Sequence, residues 1–161
     1  MLSSRPLITK ATSNHKLYTR SAIFIPRASF STRVVVTTYN GYRQEAQIDK
    51  HRLTIDEPVD VGGTDAGPDP ISTVASALGG CTNITLQMYA KRKKYPLEKV
   101  ITSVHTLKNS DAGNATAFHR TIQLVGEELK PEHRESLLNI ANKCPVHRIL
   151  ENSTKIVTEL V

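Results

Sequence analysis

With 161 residues, 39% of them hydrophobic and 22% charged, the chain is long enough for one domain with a true core and has an ordinary globular composition. No apolar stretch reaches the roughly 20 residues that span a bilayer, so neither a transmembrane helix nor a membrane partner is expected. The formal charge of +6 is confined to one end: residues 1–34 hold six basic residues and no acidic one, and beyond them 15 basic residues face 15 acidic ones. A body without excess positive charge lacks the footprint of a nucleic-acid binder, and Lys91-Arg92-Lys93-Lys94 reads as the solvated end of a helix.

The opening segment is Arg-rich, Ser-rich and acid-free, with scattered apolar residues such as Leu17, Ile23 and Phe24. That is the composition of a mitochondrial transit peptide, and the compact apolar core of a secretory signal is missing. Residues 1–33 are therefore expected to direct the chain to the mitochondrial matrix, with processing near residues 27–33. A disordered basic tail is the alternative.

From Val34 the pattern changes. Val34–Tyr39 is β-branched and aromatic and ends at the turn signal Asn40-Gly41. Residues 43–48 and 52–55 alternate as two more short strands, which makes an antiparallel meander. The Gly- and Pro-rich stretch 56–70 excludes regular structure over most of its length. Asp69-Pro70 is a helix entry, an N-cap acceptor followed by proline at the first helical position. Ile71, Val74, Ala75, Leu78, Cys81, Thr85 and Met88 fall on one helical stripe, so the helix is expected to run to about Lys93 with Cys81 on its buried side. Gly79 and Gly80 cost about 1 kcal/mol each against Ala; close approach of another backbone is the expected reason.

Two strands follow, over 99–108 and 117–125, around a turn-rich 109–114. A second amphipathic helix covers Pro131 to Lys143, a short third one His147 to Asn152, and Lys155–Leu160 reads as a last strand. The fold class is thus α+β in a single domain, 34–161.

The chemistry of such a chain centres on its only two cysteines, Cys81 in Leu78-Gly79-Gly80-Cys81-Thr82 and Cys144 in Cys144-Pro145-Val146-His147. In a reducing compartment, two free thiols are reactive or buried rather than structurally bridged. As a redox pair they supply a peroxide-attacking thiolate and a second thiol to resolve its sulfenic acid. They are equally open to being inert buried hydrophobes. Cys144-x-x-His147 also has zinc-like spacing, with Cys81 and His119 to complete a tetrahedron, but no second half-motif accompanies it. Cys81 with His147 as base is an acyl-transfer reading of low specificity. Asp65 and Asp69 lie among glycines but do not match a calcium loop and read as turn and cap residues.

Four ordered motifs resemble the OsmC/Ohr superfamily, its OsmC-like branch in particular. They are Gly62-Gly63-Thr64-Asp65-Ala66-Gly67-Pro68-Asp69-Pro70, Ala77-Leu78-Gly79-Gly80-Cys81-Thr82, Met88-Tyr89-Ala90-Lys91-Arg92-Lys93 and Cys144-Pro145-Val146-His147, within about residues 42–160. The resemblance implies an antiparallel sheet wrapped around a long central helix, in an intertwined homodimer with active sites at the interface. It implies reduction of organic and lipid hydroperoxides without metal or prosthetic group. Cys81 is then the peroxidatic cysteine, Cys144 the resolving one, and a dithiol, in several members a lipoylated protein, the reductant. The catalytic arginine comes from the N-terminal strands, where Arg52 is preferred over Arg43. The chain departs from the pattern at the family's paired glutamate, replaced here by Ser72 or Ile71, which leaves Glu57 or Asp56 to hold the arginine. That departure supports an alternative, a dimeric binding protein of the same fold that has lost efficient peroxidase chemistry.

Overall fold

The computed structural model describes residues 33–108, 116–152, 154 and 156–160. The expected transit peptide, through residue 32, and the expected turn at 109–114 lie outside the described residues. From Val34 onward the chain forms one compact unit. Among the described residues no helix is long and apolar enough to cross a membrane.

The unit opens with three antiparallel strands, β1 (Val34–Thr38), β2 (Gln44–Ile48) and β3 (His51–Ile55), in the order β1-β2-β3. The meander read from alternation is present, with Gly41 at φ 62° in its first turn, a conformation glycine adopts without steric cost.

The segment after β3 is less free than its glycines suggest. A single 3₁₀ turn, Val59–Val61, interrupts it, and the buried Asp56 carboxylate organises the remainder. That carboxylate accepts from the Glu57 and Thr64 backbone N–H groups at 2.9 Å each, from the Thr64 hydroxyl at 2.6 Å and from the Ala66 N–H at 3.2 Å. Two glycines are obligatory here on contact grounds: a Cβ at Gly63 would lie 1.8 Å from the Glu57 carbonyl oxygen, and one at Gly67 2.3 Å from that of Thr54.

This loop delivers the long helix α1 (Pro70–Lys93), whose bounds match the expectation. Asp69 caps it by accepting from the Ile71 and Ser72 N–H groups at 2.9 Å. Lys94 ends it in the left-handed region, with Lys91, Arg92 and Lys93 over the negative end of the dipole. The strands β4 (Lys99–Lys108) and β5 (Thr116–Val125) pair antiparallel, and β4 packs on α1. The helices α2 (Pro131–Ala141) and α3 (Pro145–Glu151) pack on it too. Mixed, segregated helices and antiparallel sheets make the fold α+β, as the element pattern predicts. The core gathers Leu86, Ala90, Leu129, Leu137 and Ala141, with Tyr89, Tyr95, Val100, Ile122 and Leu124 around them.

Four expectations need correction. The buried face of α1 runs through Ala75, Leu78, Gly79, Thr82, Leu86 and Ala90, not through Ile71 and Met88, which are exposed. The helix carries apolar residues on several sides, so a 3.6-residue period does not single out the face this chain covers. Secondly, no backbone crowds the glycines within the chain: a Cβ on Gly79 would make ordinary contacts of 3.7 Å or more with β4, and one on Gly80 would meet nothing. Thirdly, α2 stops at Ala141 rather than Lys143, and α3 begins at Pro145 rather than His147. Pro145 disfavours helical backbone at Cys144, which is extended (φ −59°, ψ 134°), and itself suits a first helical position. Finally, residues 156–160 form no strand; Ile156, Val157 and Leu160 are exposed. Their β propensity has no ladder partner among the described residues, and a strand without one is not stable.

Candidate active site

Position 81 lies at the edge of the buried face of α1, which leaves the Cys81 thiol partly exposed. Cys144 lies in the turn between α2 and α3 and is wholly buried. Pro145 sets this placement, because the chain must leave the α2 spiral before it and can start α3 directly after.

The two thiols are free and close enough for each to shift the other's ionisation. Val146 N–H and the Thr85 hydroxyl also reach Cys81. The backbone N–H groups of His147 and Val146 and the Thr82 hydroxyl reach Cys144. These sets act in opposite directions on ionisation. Burial, followed by the hydrogen bond to Cys144, pushes the Cys81 thiol up. Burial also opposes ionisation of Cys144, but the hydrogen bond from Cys81 and the His147, Val146 and Thr82 donors outweigh it and bring this thiol below its ordinary value.

A cation meets the buried face of α1 and the end of α2. Arg120, from β5, donates to the Thr82 hydroxyl at 2.8 Å, to the Ala141 carbonyl at 3.4 Å and to the Asn142 side-chain oxygen at 2.9 Å. The sequence reading did not single out Arg120, although the signal was present. Phe118, Ile122 and Leu124 alternate inward along β5, and an arginine in the same phase must point inward with them.

Arg52 and Arg43 are placed elsewhere. Arg52 donates through Nε to Gln47 Oε1 at 3.1 Å, and Arg43 pairs with Glu45 at 2.9 Å, both on the β1–β3 sheet. Within one chain neither is among the partners found for the thiols. Ser72 bonds the Asp69 carboxylate at the start of α1. Asp56 is spent on its own loop and does not hold an arginine.

The competing readings fare differently. His119 is exposed on the face of β5 opposite to Arg120, and among the described residues no three His, Cys, Asp or Glu side chains converge to hold a metal. The zinc tetrahedron of Cys81, Cys144, His147 and His119 does not form. The His147 imidazole pairs with Glu151 at 3.2 Å rather than with Cys81, so it is not set as a base for acyl transfer. Asp69 is an N-cap, as its sequence context suggests.

Two cavities lie near the pair, lined by its chain neighbours and by neither cysteine. One of about 410 Å³ opens beside Thr85 and Pro145, with Met88, Tyr89 and Ile140 as apolar walls and Arg92 and Lys143 at its edge. The other, of about 390 Å³, lies between Leu78, Phe118 and Leu150 on one side and Arg120, His147 and Glu151 on the other.

Comparison with known proteins agrees with this fold. Several solved structures share the fold at low identity. An osmotic-stress-induced and detoxification response protein from Psychrobacter arcticus is 21% identical, with a TM-score of 0.63 over 71% of this chain and 85% of that one. An OsmC-like protein from Mycoplasma pneumoniae is 16% identical, with a TM-score of 0.65 over 76% and 89%. The organic hydroperoxide resistance protein OhrB of Bacillus subtilis is 20% identical, with a TM-score of 0.53 over 74% and 89%. A search of curated proteins gives no match. The family model for OsmC-like proteins matches residues 63–159, from the loop before α1 through both cysteines, and on that match the chain belongs to the OsmC-like family.

Proposed function

We propose that this protein is a thiol-dependent peroxidase that reduces organic and lipid hydroperoxides in oxidative-stress defence, using Cys81 and Cys144 and no metal or prosthetic group. The observation that carries this reading is the pairing of two free thiols, one partly exposed and one fully buried, near enough for each to shift the other's ionisation. An inert structural pair needs no such inequality. A peroxidase needs an accessible sulfur to meet the substrate and a second one, already adjacent, to close on it. The hydroperoxide resistance named for the Bacillus subtilis relative is of the same kind.

The chemistry follows from the arrangement. Cys81 gives its proton to solvent and, as the thiolate, attacks the distal oxygen of the hydroperoxide. The O–O bond breaks, Cys81 becomes a sulfenic acid, and the alkoxide leaves as an alcohol on taking the proton of the Cys144 thiol, which becomes the thiolate. The Cys144 thiolate then attacks the Cys81 sulfur and expels hydroxide, which is protonated to water. Two thiols and one hydroperoxide give one disulfide, one alcohol and one water. The apolar cavity at Thr85 and Pro145 suits the organic part of the substrate. A dithiol reductant, such as a lipoylated protein, returns the pair to its reduced state.

We also assign the chain to a homodimer and to the mitochondrial matrix. Ile84 and Met88 leave the far side of α1 apolar and exposed, and a helix apolar on several sides is normally covered on several sides. The role of Arg52 on the leaving alkoxide belongs to that dimer, where the family places its active sites. The matrix assignment rests on the composition of residues 1–33.

Replacing either cysteine tests the reading: Cys81→Ser abolishes turnover, and Cys144→Ser stops it after about one equivalent of peroxide. Full turnover by both variants would refute the mechanism. One observation favours the second reading, a non-catalytic binder: Ser72, in place of the family glutamate, is engaged by Asp69 and offers no charge to an arginine. In a binder, neither variant differs from the parent towards peroxide.

A further inference from the structure

Away from the redox pair, the hairpin of β4 and β5 sets two histidines directly opposite one another. His105 and His119 are register partners in the antiparallel ladder, so their side chains leave the sheet on the same face. Both are exposed. That face is turned away from α1, because Thr102 and Val104, in the alternate phase of β4, are the residues beside Gly79 of the helix.

The surroundings leave this pair without a structural task. The adjacent register pairs on the same face are Ser103 with Thr121 and Leu107 with Ala117, so neither imidazole has a carboxylate beside it there. Among the described residues neither histidine makes an ion pair. Other histidines are engaged singly: His133 stacks on Tyr95 at 4.2 Å and accepts from the Lys130 N–H, and His147 pairs with Glu151. Residues directly opposite in such a ladder have Cβ atoms about 4.5–5.5 Å apart. Two nitrogens held at about 2.0–2.1 Å by a tetrahedral metal ion lie roughly 3.3 Å from each other. Rotation about χ1 and χ2 closes that difference with the backbone in place.

We propose that His105 and His119 form a two-imidazole surface site for a divalent transition-metal ion of the zinc, nickel and copper class. Imidazole nitrogen suits those ions, whereas calcium and magnesium require oxygen ligands, carboxylates above all, and none adjoins the pair. Among the described residues no third His, Cys, Asp or Glu converges there, so water completes the coordination. The ladder makes the second metal–nitrogen bond intramolecular, and this chelation supplies the affinity. The site contains neither cysteine and lies on the other face of β5 from Arg120, so it stands or falls independently of the peroxidase reading.

Zinc alone is the probe, titrated by calorimetry into the full-length, untagged chain carrying Cys81→Ser and Cys144→Ser, in which no thiol competes for it. One ion binds per chain. His105→Gln or His119→Gln weakens binding about tenfold or more, as loss of one arm of a chelate requires, and His51→Gln leaves it unchanged. In nitrogen-resolved NMR the imidazole signals of His105 and His119 shift on adding zinc. An ion held between the two strands binds only the folded hairpin, so zinc also raises Tm, and it does so no longer when both histidines are replaced. Should the cysteine replacements unfold the chain, titration of the parent counts one more ion than titration of His105→Gln/His119→Gln, whose exposed positions tolerate glutamine. No binding, binding of unchanged affinity in both single variants, or unmoved imidazole signals of the pair overturns the proposal.

Discussion

Oxidation of the pair should change the stability of the whole unit. Cys81 and Cys144 are 63 positions apart, and a bridge between them closes a loop containing β4, β5 and α2. In the chain-entropy relation, a loop of that length removes about 4 kcal/mol of freedom from the unfolded chain. Strain in the native state offsets part of that, by roughly 1–2 kcal/mol. The net gain is about 2–3 kcal/mol, or a rise of about 6–15 °C in Tm for a unit of this size. Thermal unfolding by circular dichroism, on reduced protein and on protein oxidised with one equivalent of alkyl hydroperoxide and mapped for its bridge, measures it. Cys144→Ser treated in the same way shows no rise. Bridged protein that melts at or below the reduced temperature would mean that the thiols do not meet as the structure places them, and that closing the bridge strains the turn before α3.

The core and the loop give two further expectations. Leu137, fully buried between α1 and α2, is replaced by Ala at a cost of about 2–5 kcal/mol, read from the denaturation midpoint; Leu138→Ala, one position on and exposed, costs little. Asp56 has a carboxyl held down to about 2 from 3.8, chiefly by the Thr64 hydroxyl, with the Ala66, Thr64 and Glu57 N–H groups adding to it against the cost of burial. The sign follows from linkage: a depressed carboxyl contributes stability that is fully present above about pH 4 and is lost as pH falls through about 2. Asp56→Asn is therefore less stable than the parent at neutral pH, and the difference shrinks between pH 4 and 2; parallel urea midpoints across that window would contradict it.

The sequence made most of the architecture legible because its signals are local. Asn40-Gly41, Asp69-Pro70 and Pro131 mark element ends through backbone chemistry that packing does not override. What it hid depends on neighbours distant in the chain. Asp56 looks like one acidic residue in a flexible loop until Thr64 and Ala66 return to it. The covered face of α1 is chosen by β4, β5 and α2, and Thr82 at its centre is polar, so apolar periodicity passes it over. Strand propensity at 156–160 has no ladder partner among the described residues. At the site both cysteines stand out from their scarcity and motifs, and α1 and the Pro145 turn do bring them together. Arg120 escaped notice because a basic residue in a strand reads as solvated unless the alternation around it is followed.

The central claim is that Cys81 and Cys144 form one redox unit towards hydroperoxides. Stopped-flow mixing of reduced protein with an alkyl hydroperoxide and, separately, with hydrogen peroxide, counting thiols before and after, tests it most directly. The account predicts rapid loss of two thiols per chain, faster with the alkyl substrate, and recovery on adding a dithiol. Thiol loss no faster than that of a free thiol in solution would contradict it and mark the protein as a binder built on the same fold.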